Sequence, residues 1–170
     1  MSLTPQQLAA LKAAILAETD PEFVGYRTNG QTPLMTEWLN GIASPAYYVR
    51  RTSLSRHDIL TSTSDEGTAF AWAGGAYITR SQGERDAFRE MFNSTGTVNP
   101  SLPSIQAAFN DIFSGSGGAG NRAHILALSR RPCTRFERIY ATGAGTKASP
   151  SVAVIDGAVT DADISAALSD

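Results

Sequence analysis

The sequence predicts a mainly α protein, a single domain of about five or six short helices with long loops. Three observations support this fold class. Apolar residues recur with the helical period in several segments, and capping residues mark where those segments begin. Only one short segment, Val152 to Ile155, has the composition of a small β element. A chain of 170 residues is long enough to bury a core, so we expect one domain over residues 1–170.

The first two helices begin with a cap followed by proline. Thr4 is the expected N-cap of a helix over residues 5 to 18, with Pro5 at the first helical position and Gln7 three residues after the cap. Thr32-Pro33 begins a second helix in the same way. One face of this helix is apolar and carries Met35, Trp38, Leu39 and Ile42.

The segment from residue 46 to residue 80 has the least regular pattern. Ala46 to Thr52 is rich in aromatic and β-branched residues but does not alternate, so strand and helix both remain open. Ser55 to Leu60 is long enough for one helical turn. A regular helical pattern of apolar and charged residues begins again after Ser81. Ser81 is expected to form a capping box with Glu84 and to begin a third helix.

The fourth helix, Ser101 to Phe113, has the clearest amphipathic pattern. The glycine-rich Ser114 to Gly120 then predicts a flexible loop over residues 114–120. Arg122 to Thr142 has helical period with Pro132 inside it, so we expect a kink or a break there. A second flexible loop is expected over residues 143–151, followed by the small β element and a last short helix capped by Thr160.

The charge and cysteine content exclude several classes of protein. Fourteen Lys and Arg residues against sixteen Asp and Glu give a net charge of −2, so any attraction to nucleic acid must be local. A single cysteine, Cys133, excludes an intramolecular disulfide framework and a cysteine-rich zinc site. No segment reaches the roughly 18 to 20 apolar residues that a membrane span needs, so we expect no membrane contact.

Residues 115–120, GSGGAG, match the dinucleotide-binding pattern G-x-G-x-x-G. That pattern binds phosphate only where it follows a β-strand, whereas here the preceding segment has helical period. The lysine of a phosphate-binding loop is also missing, since Asn121 and Arg122 follow the last glycine. We therefore interpret the motif as a connector between helices.

Few residues suggest catalysis. His57, Asp58, His124 and Cys133 are the only candidates for a nucleophile and its base, and the two histidines lie in different segments without metal-ligand spacing. We therefore predict no catalytic residues, no metal site and no cofactor. An enzyme whose site is assembled between Tyr47 and Tyr77 remains a third, weaker alternative.

The basic segment, residues 122–147, is the most distinctive feature. It contains one acid, Glu137, against six basic residues, Arg122, Arg130, Arg131, Arg135, Arg138 and Lys147. If a helix runs through Pro132, three of the arginines share one face, whereas an ordinary surface mixes charges of both signs. We therefore expect an interface that meets carboxylates of a neighbouring subunit together with the following loop, GAGTKASP. The candidate interface residues are Arg130, Arg131, Arg135, Arg138 and Lys147.

Phrases spread over nearly the whole chain carry a resemblance. They are LTPQQLAALKAAILAE, SPAYYVRRTSLSRHDI, ERDAFREMFNSTGTVNPSLPSIQAAFNDIFSG and RRPCTRFERIYATGAGTKASP. Together they resemble a group of small proteins encoded among the virion-structure genes of tailed bacteriophages and prophages. The resemblance implies a virion component, at the neck, where small helical adaptor proteins form a ring between portal and tail. It implies no catalytic residues.

The expected function is therefore that of a structural subunit in a head–tail connector. Its expected partners are copies of itself in a ring and the phage portal or neighbouring neck or tail proteins. Its expected location is the virion, after synthesis in the cytoplasm of the bacterial host. The alternative is a DNA-binding accessory protein that uses the Arg130 to Arg138 segment on phosphates.

Overall fold

The computed structural model describes residues 3–73 and 77–169, and the mainly α prediction is confirmed, with about 51% of the chain in helices. The described residues form nine helices, more than the five or six expected. They are α1 (Pro5–Ala17), α2 (Pro21–Thr28), α3 (Thr32–Asn40), α4 (Arg56–Thr61), α5 (Gln82–Glu90), α6 (Pro103–Ile112), α7 (Gly115–Leu128), α8 (Arg135–Tyr140) and α9 (Asp161–Ser169).

Six short strands form three two-stranded sheets in the described residues, where the sequence predicts one small β element. The strands are β1 (Tyr48–Arg50), β2 (Leu54–Ser55), β3 (Thr97–Val98), β4 (Arg130–Pro132), β5 (Ala141–Thr142) and β6 (Val152–Ala153). β1 pairs with β4, while β2 with β3 and β5 with β6 pair antiparallel. Strands of two or three residues are too short to show an alternating pattern. The sequence therefore predicts β6, leaves the segment of β1 open between strand and helix, and indicates none of the other four strands.

The predicted capping boxes are confirmed. The Gln7 amide N–H donates to Thr4 Oγ1 at 3.3 Å while the Thr4 N–H donates to Gln7 Oε1 at 2.8 Å, and Ser81 and Glu84 form the same pair of bonds. Helix α2 is absent from the sequence prediction, which assigns Asp20-Pro21 only to the end of the first helix. Asp20 in fact caps α2 by accepting bonds from the backbone of Glu22 and Phe23.

The contacts within the chain divide it into two compact units, where the sequence predicts one domain. The first unit is formed by the chain up to Val49 and from Pro132 onward, and the second by the unbroken stretch Arg50–Arg131. Each unit has its own apolar core. Buried side chains of the first unit include Leu11, Ile15, Phe23, Met35, Phe136 and Ile164. The core of the second unit is rich in aromatic rings, with Phe88 at 5.4 to 6.1 Å from the rings of Phe70, Tyr77, Phe92 and Phe113.

The prediction of a loop over residues 114–120 is wrong. Gly115 has a φ of +69°, a backbone conformation that glycine adopts without steric cost, and it begins α7 directly after Ser114. Gly118 lies against the backbone of Phe113, at a distance that only a residue without a side chain allows. The glycines therefore permit a tight passage from α6 into α7, and the phosphate-loop geometry of the G-x-G-x-x-G motif is not formed.

The break expected at Pro132 is confirmed. Helix α7 ends at Leu128, Pro132 ends strand β4, and Thr134 then caps α8 in a capping box with Glu137. Arg131 therefore does not share a helix with Arg135 and Arg138, and the three arginines do not form one helical face. Residues 143–150 contain no helix or strand, in agreement with the second predicted loop.

Tyr140, at the end of α8, gives a test of packing in the first unit. Its hydroxyl donates to the Gln7 carbonyl at 2.8 Å, and burial, with a smaller effect of Asp163, raises its pKa from 10.0 to about 12. A phenol whose pKa is raised on folding stabilises the fold below pH 10, and that contribution is lost as the pH rises through 12. We expect Tyr140→Phe to remove the phenolate absorbance phase near pH 12 and to make the alkaline loss of stability shallower.

A spectrophotometric pH titration combined with urea unfolding at pH 9 and pH 11 measures both effects. Tyr26→Phe is the matched control, because it removes a different tyrosine of the same unit and should leave the phase near pH 12 in place. Persistence of that phase in Tyr140→Phe would contradict the assignment.

Candidate protein interface

The five predicted interface residues are divided between the two units. Arg135 and Arg138 lie one turn apart on α8, in the first unit, and Lys147 lies in the loop that follows β5. Arg130 and Arg131 lie on β4 and belong to the second unit. Three of the candidates, Arg135, Arg138 and Lys147, therefore belong to the first unit, and two, Arg130 and Arg131, belong to the second.

Arg130 is bound within its own unit. Its side chain is 7% exposed, and its Nη2 lies 3.1 Å from Asp65 Oδ1 and makes a second ion pair with Glu66. Burial lowers the pKa of Arg130, but the hydrogen bonds to Glu66 and Asp65 outweigh it, so the pKa is raised overall. These carboxylates lie 65 and 64 residues away along the chain, which is why a count of charges over residues 122–147 misses them. The position of Arg130 therefore indicates a structural role.

Arg135 is held in a fixed orientation. Its Nη1 donates to the Trp38 carbonyl at 2.9 Å, and its guanidinium lies 4.2 Å from the centre of the Trp38 ring. Gly41 makes room for it, because a Cβ at that position would lie 2.5 Å from Nη1. Within residues 3–73 and 77–169, no carboxylate forms an ion pair with this half-buried guanidinium.

Arg138 and Lys147 lie over aromatic rings on the same unit. The Arg138 guanidinium is 5.2 Å from the centre of the Tyr47 ring, and the Lys147 ammonium is 5.6 Å from that of Tyr48. Arg138 is exposed, and in the described part of the chain it makes no ion pair. Glu137, by contrast, is buried and accepts backbone hydrogen bonds from Thr134 and Gly157. The cationic groups of α8 thus remain available to a ligand while its acid is used in the fold.

Arg135 and Arg138 line a cleft of about 550 Å³ whose walls all belong to the first unit. Its polar lining residues are Glu18, Asp20, Ser44, Arg135 and Arg138, and its apolar wall includes Phe23, Trp38 and Ile139. Glu18 accepts the backbone N–H groups of Thr19 and Asp20, and Asp20 caps α2, so both carboxylates are fixed by the backbone. The cleft therefore holds positive and negative groups in defined positions.

A second cleft of about 350 Å³ shares Asp20, Trp38 and Arg135 with the first. It adds two exposed carboxylates, Glu22 and Glu37. Tyr26 also lines it and donates its hydroxyl to Glu22, which is the main reason that the pKa of Tyr26 is raised. This cleft is predominantly acidic, and the sequence prediction does not include it because its acids lie on α2 and α3, far from the basic segment.

Three of the four residues considered for catalysis have structural positions, and the fourth, His57, is exposed on α4. His124 is fully buried, with Nε2 2.9 Å from the Ile59 carbonyl and Nδ1 3.2 Å from Thr68 Oγ1. Asp58 forms the capping box of α4 with Ser55, and Cys133 is buried in an apolar cluster. Among the residues that the structure describes, no group of three or more His, Cys, Asp or Glu side chains is arranged to hold a metal ion.

The comparisons with known proteins assign no family. Across the described ranges, none of the helices combines the length and the apolar character needed to cross a membrane. No family model matches the chain, and no curated protein and no solved structure is significantly similar to it. The arguments for function therefore come from the residues and their geometry.

Proposed function

We propose that this protein is a structural subunit of a tailed-phage virion, a head–tail connector or adaptor that forms a ring at the neck. It acts through protein–protein contacts with copies of itself and with the portal or neighbouring neck or tail proteins, without catalysis. In this proposal it is made in the cytoplasm of the bacterial host and incorporated into the virion. The four sequence phrases support the class of protein, and the surface around α8 supports the mode of action.

The observation that carries the proposal is the contact of Arg135 with Trp38 in a cleft that Arg138 also lines. Arginine and tryptophan are the residue types that contribute most to the centres of protein interfaces. Arg135 is already ordered by Trp38 and Gly41, so it loses little conformational entropy when it binds a carboxylate. A guanidinium that is fixed and has no ion-pair partner in the described residues is suited to contact another subunit.

The DNA-binding alternative has weaker support. Arg130, one of the arginines that it requires, is bound by Asp65 and Glu66 in its own unit. Arg135 and Arg138 share their cleft with Glu18 and Asp20, whose charges repel a phosphate backbone. The charge that remains for phosphate contacts is therefore smaller than the sequence suggests.

The substitution Arg138→Glu tests the proposal. It reverses an exposed charge without removing the contacts between Arg135 and Trp38, so we expect the subunit to fold and to lose ring assembly. A desolvated arginine–carboxylate contact couples by about 1.5 to 7 kcal/mol, which is enough to prevent an oligomer from forming. Negative-stain microscopy of the variant mixed with its portal and sedimentation velocity of the variant alone are the measurements.

The control is Arg89→Glu on α5, which makes the same change of charge at an exposed position of the second unit. This control should assemble as the wild type does. If wild-type protein forms no ring and does not bind the portal, the proposed function is wrong. If Arg138→Glu and the control assemble equally well, Arg138 is an ordinary surface residue.

A further inference from the structure

The two clefts beside Arg135 together form a surface with charges of both signs, which we call the charged groove. They share Asp20, Trp38 and Arg135, so the groove has the Arg135–Trp38 contact between its two parts. Arg138 lies in the first part, and Glu22 and Glu37 lie in the second. One end of the groove thus has a cationic group that the other end lacks.

The balance of charges in the groove restricts what can bind to it. Two arginines line it together with four carboxylates, Glu18, Asp20, Glu22 and Glu37. A uniformly negative ligand such as a nucleic acid would meet more repulsion than attraction. A uniformly positive one would be attracted by the four carboxylates but would bring no counter-charge to the two guanidinium groups. A segment that carries both signs can satisfy both parts of the groove.

The geometry of the side chains indicates which group binds where. The Arg135 guanidinium has five N–H donors, and its hydrogen bond from Nη1 to the Trp38 carbonyl uses one of them. The other N–H groups can bind a carboxylate through two parallel hydrogen bonds. Glu22 and Glu37 are exposed and are acceptors for an ammonium or guanidinium group. Trp38 lines both parts of the groove, where it contacts the Arg135 guanidinium and lies with its ring centre 4.5 Å from that of Phe23.

We propose that the charged groove binds a mixed-charge segment of a protein partner. In the complex, a carboxylate of the segment contacts Arg135 and Arg138, and a lysine or arginine of the same segment contacts Glu22 and Glu37. This inference rests on the proposed function in one respect, namely that the partner is another protein subunit. The inference goes beyond the proposed function by assigning the chemistry of the partner and by adding Glu22 of α2 and Glu37 of α3 to the interface.

The probe is the peptide acetyl-Glu-Lys-Glu-Lys-amide, added to the full-length ¹⁵N-labelled protein. The indole N–H of Trp38 reports binding, and that of Trp72, the only other tryptophan of the chain, is an internal reference in the second unit. We expect a saturable chemical-shift change at Trp38 and at the Nε–H of Arg135, with no change at Trp72. Acetyl-Glu-Glu-Glu-Glu-amide and acetyl-Lys-Lys-Lys-Lys-amide should bind at least about threefold more weakly than the mixed peptide.

Two variants assign the binding to the groove. Arg138→Gln and Glu37→Gln should each weaken binding of the mixed peptide by about threefold to tenfold, whereas Arg89→Gln should have no effect. The proposal is overturned if Trp38 shows no saturable change, if the groove variants bind as the wild type does, or if a short DNA duplex shifts Trp38 at a lower concentration than the peptide. If both groove variants form a ring on the portal at the same protein concentration as the wild type, this inference is overturned and the proposed function is left intact. If the peptide binds to the groove but the wild-type protein forms no ring, the proposed function is wrong and this inference stands.

Discussion

Replacing Gly118 by alanine should destabilise the protein by about 3 kcal/mol, although alanine is the better helix former. A Cβ at this position would lie 2.3 Å from the Phe113 carbonyl oxygen and 2.5 Å from its carbon, and backbone atoms cannot rotate away as a side chain would. Phe113 is itself fully buried against Phe70 and Phe88, so a displacement of its backbone disturbs the aromatic core of the second unit. The gain in helix propensity is only about 1 kcal/mol and does not compensate.

Gly120 provides the matched control in the same helix. Nothing lies within 4 Å of the position that its Cβ would occupy, and the residue is exposed. Gly120→Ala should therefore stabilise the protein by about 0.5 to 1 kcal/mol through the lower entropy of the unfolded chain and better helix propensity. Urea unfolding followed by circular dichroism measures both variants. If the urea midpoints of Gly118→Ala and Gly120→Ala shift equally and in the same direction, the contact with Phe113 does not determine the effect of the substitution at position 118.

Replacing Arg130 by alanine should destabilise the protein by about 2 kcal/mol, the second of the two largest effects that we expect. The substitution leaves Asp65 and Glu66 side by side without the guanidinium that neutralises them, and it removes a buried stem. The loss should remain below the 3 to 5 kcal/mol typical of breaking a fully buried pair, because the two carboxylates are 42% and 45% exposed. Their contact with water screens part of the repulsion.

Arg89→Ala is the corresponding control, since Arg89 pairs with Asp86 on the exposed surface of α5. We expect it to change the free energy of unfolding by no more than about 0.5 kcal/mol. If Arg130→Ala destabilises the protein no more than Arg89→Ala does, Arg130 is not a structural residue of the second unit, and the interface role predicted from the sequence would regain support. A double-mutant cycle with Glu66→Gln then separates the ion pair from the packing of the stem.

The elements predicted correctly are those whose signals lie within a few residues of each other. The first helix, the helix after Ser81 and the last helix each have a capping bond between residues three apart in the sequence. The break at Pro132 is likewise predictable, because a proline inside a helix removes a backbone hydrogen bond whatever its tertiary contacts are. The sequence prediction lacks helix α2 because it assigns Asp20-Pro21 to the end of the first helix, whereas α1 ends at Ala17 and this dipeptide begins α2.

The elements that the sequence does not indicate depend on contacts between distant residues. The glycines of residues 115–120 are typical of a loop, and only the backbone of Phe113 beside Gly118 explains why they belong to a helix. Leu54 and Val98 pair in a sheet whose strands are two residues long, so neither strand has a pattern of its own. In both cases the tertiary contact determines the local conformation.

The candidate site was predictable only in its basic half. The excess of arginine in residues 122–147 includes Arg135 and Arg138, which line the groove. The carboxylates of the groove come from the link between α1 and α2, from α2 and from α3, and no sequence spacing connects them with α8. The sequence does not indicate the partners of Arg130 for the same reason, because Asp65 and Glu66 lie in the loop before Phe70.

The division of the chain affects the order in which the protein can fold during synthesis. The second unit is one unbroken stretch, Arg50–Arg131, so all of its residues have been translated before the first unit is complete. Leu11 and Ile15 of α1, in contrast, share a core with Phe136 and Ile164, which are translated only after the second unit. We expect the nascent chain to carry the apolar faces of α1 to α3 uncovered while the second unit folds, and therefore to be most prone to aggregation and most dependent on chaperones during that interval.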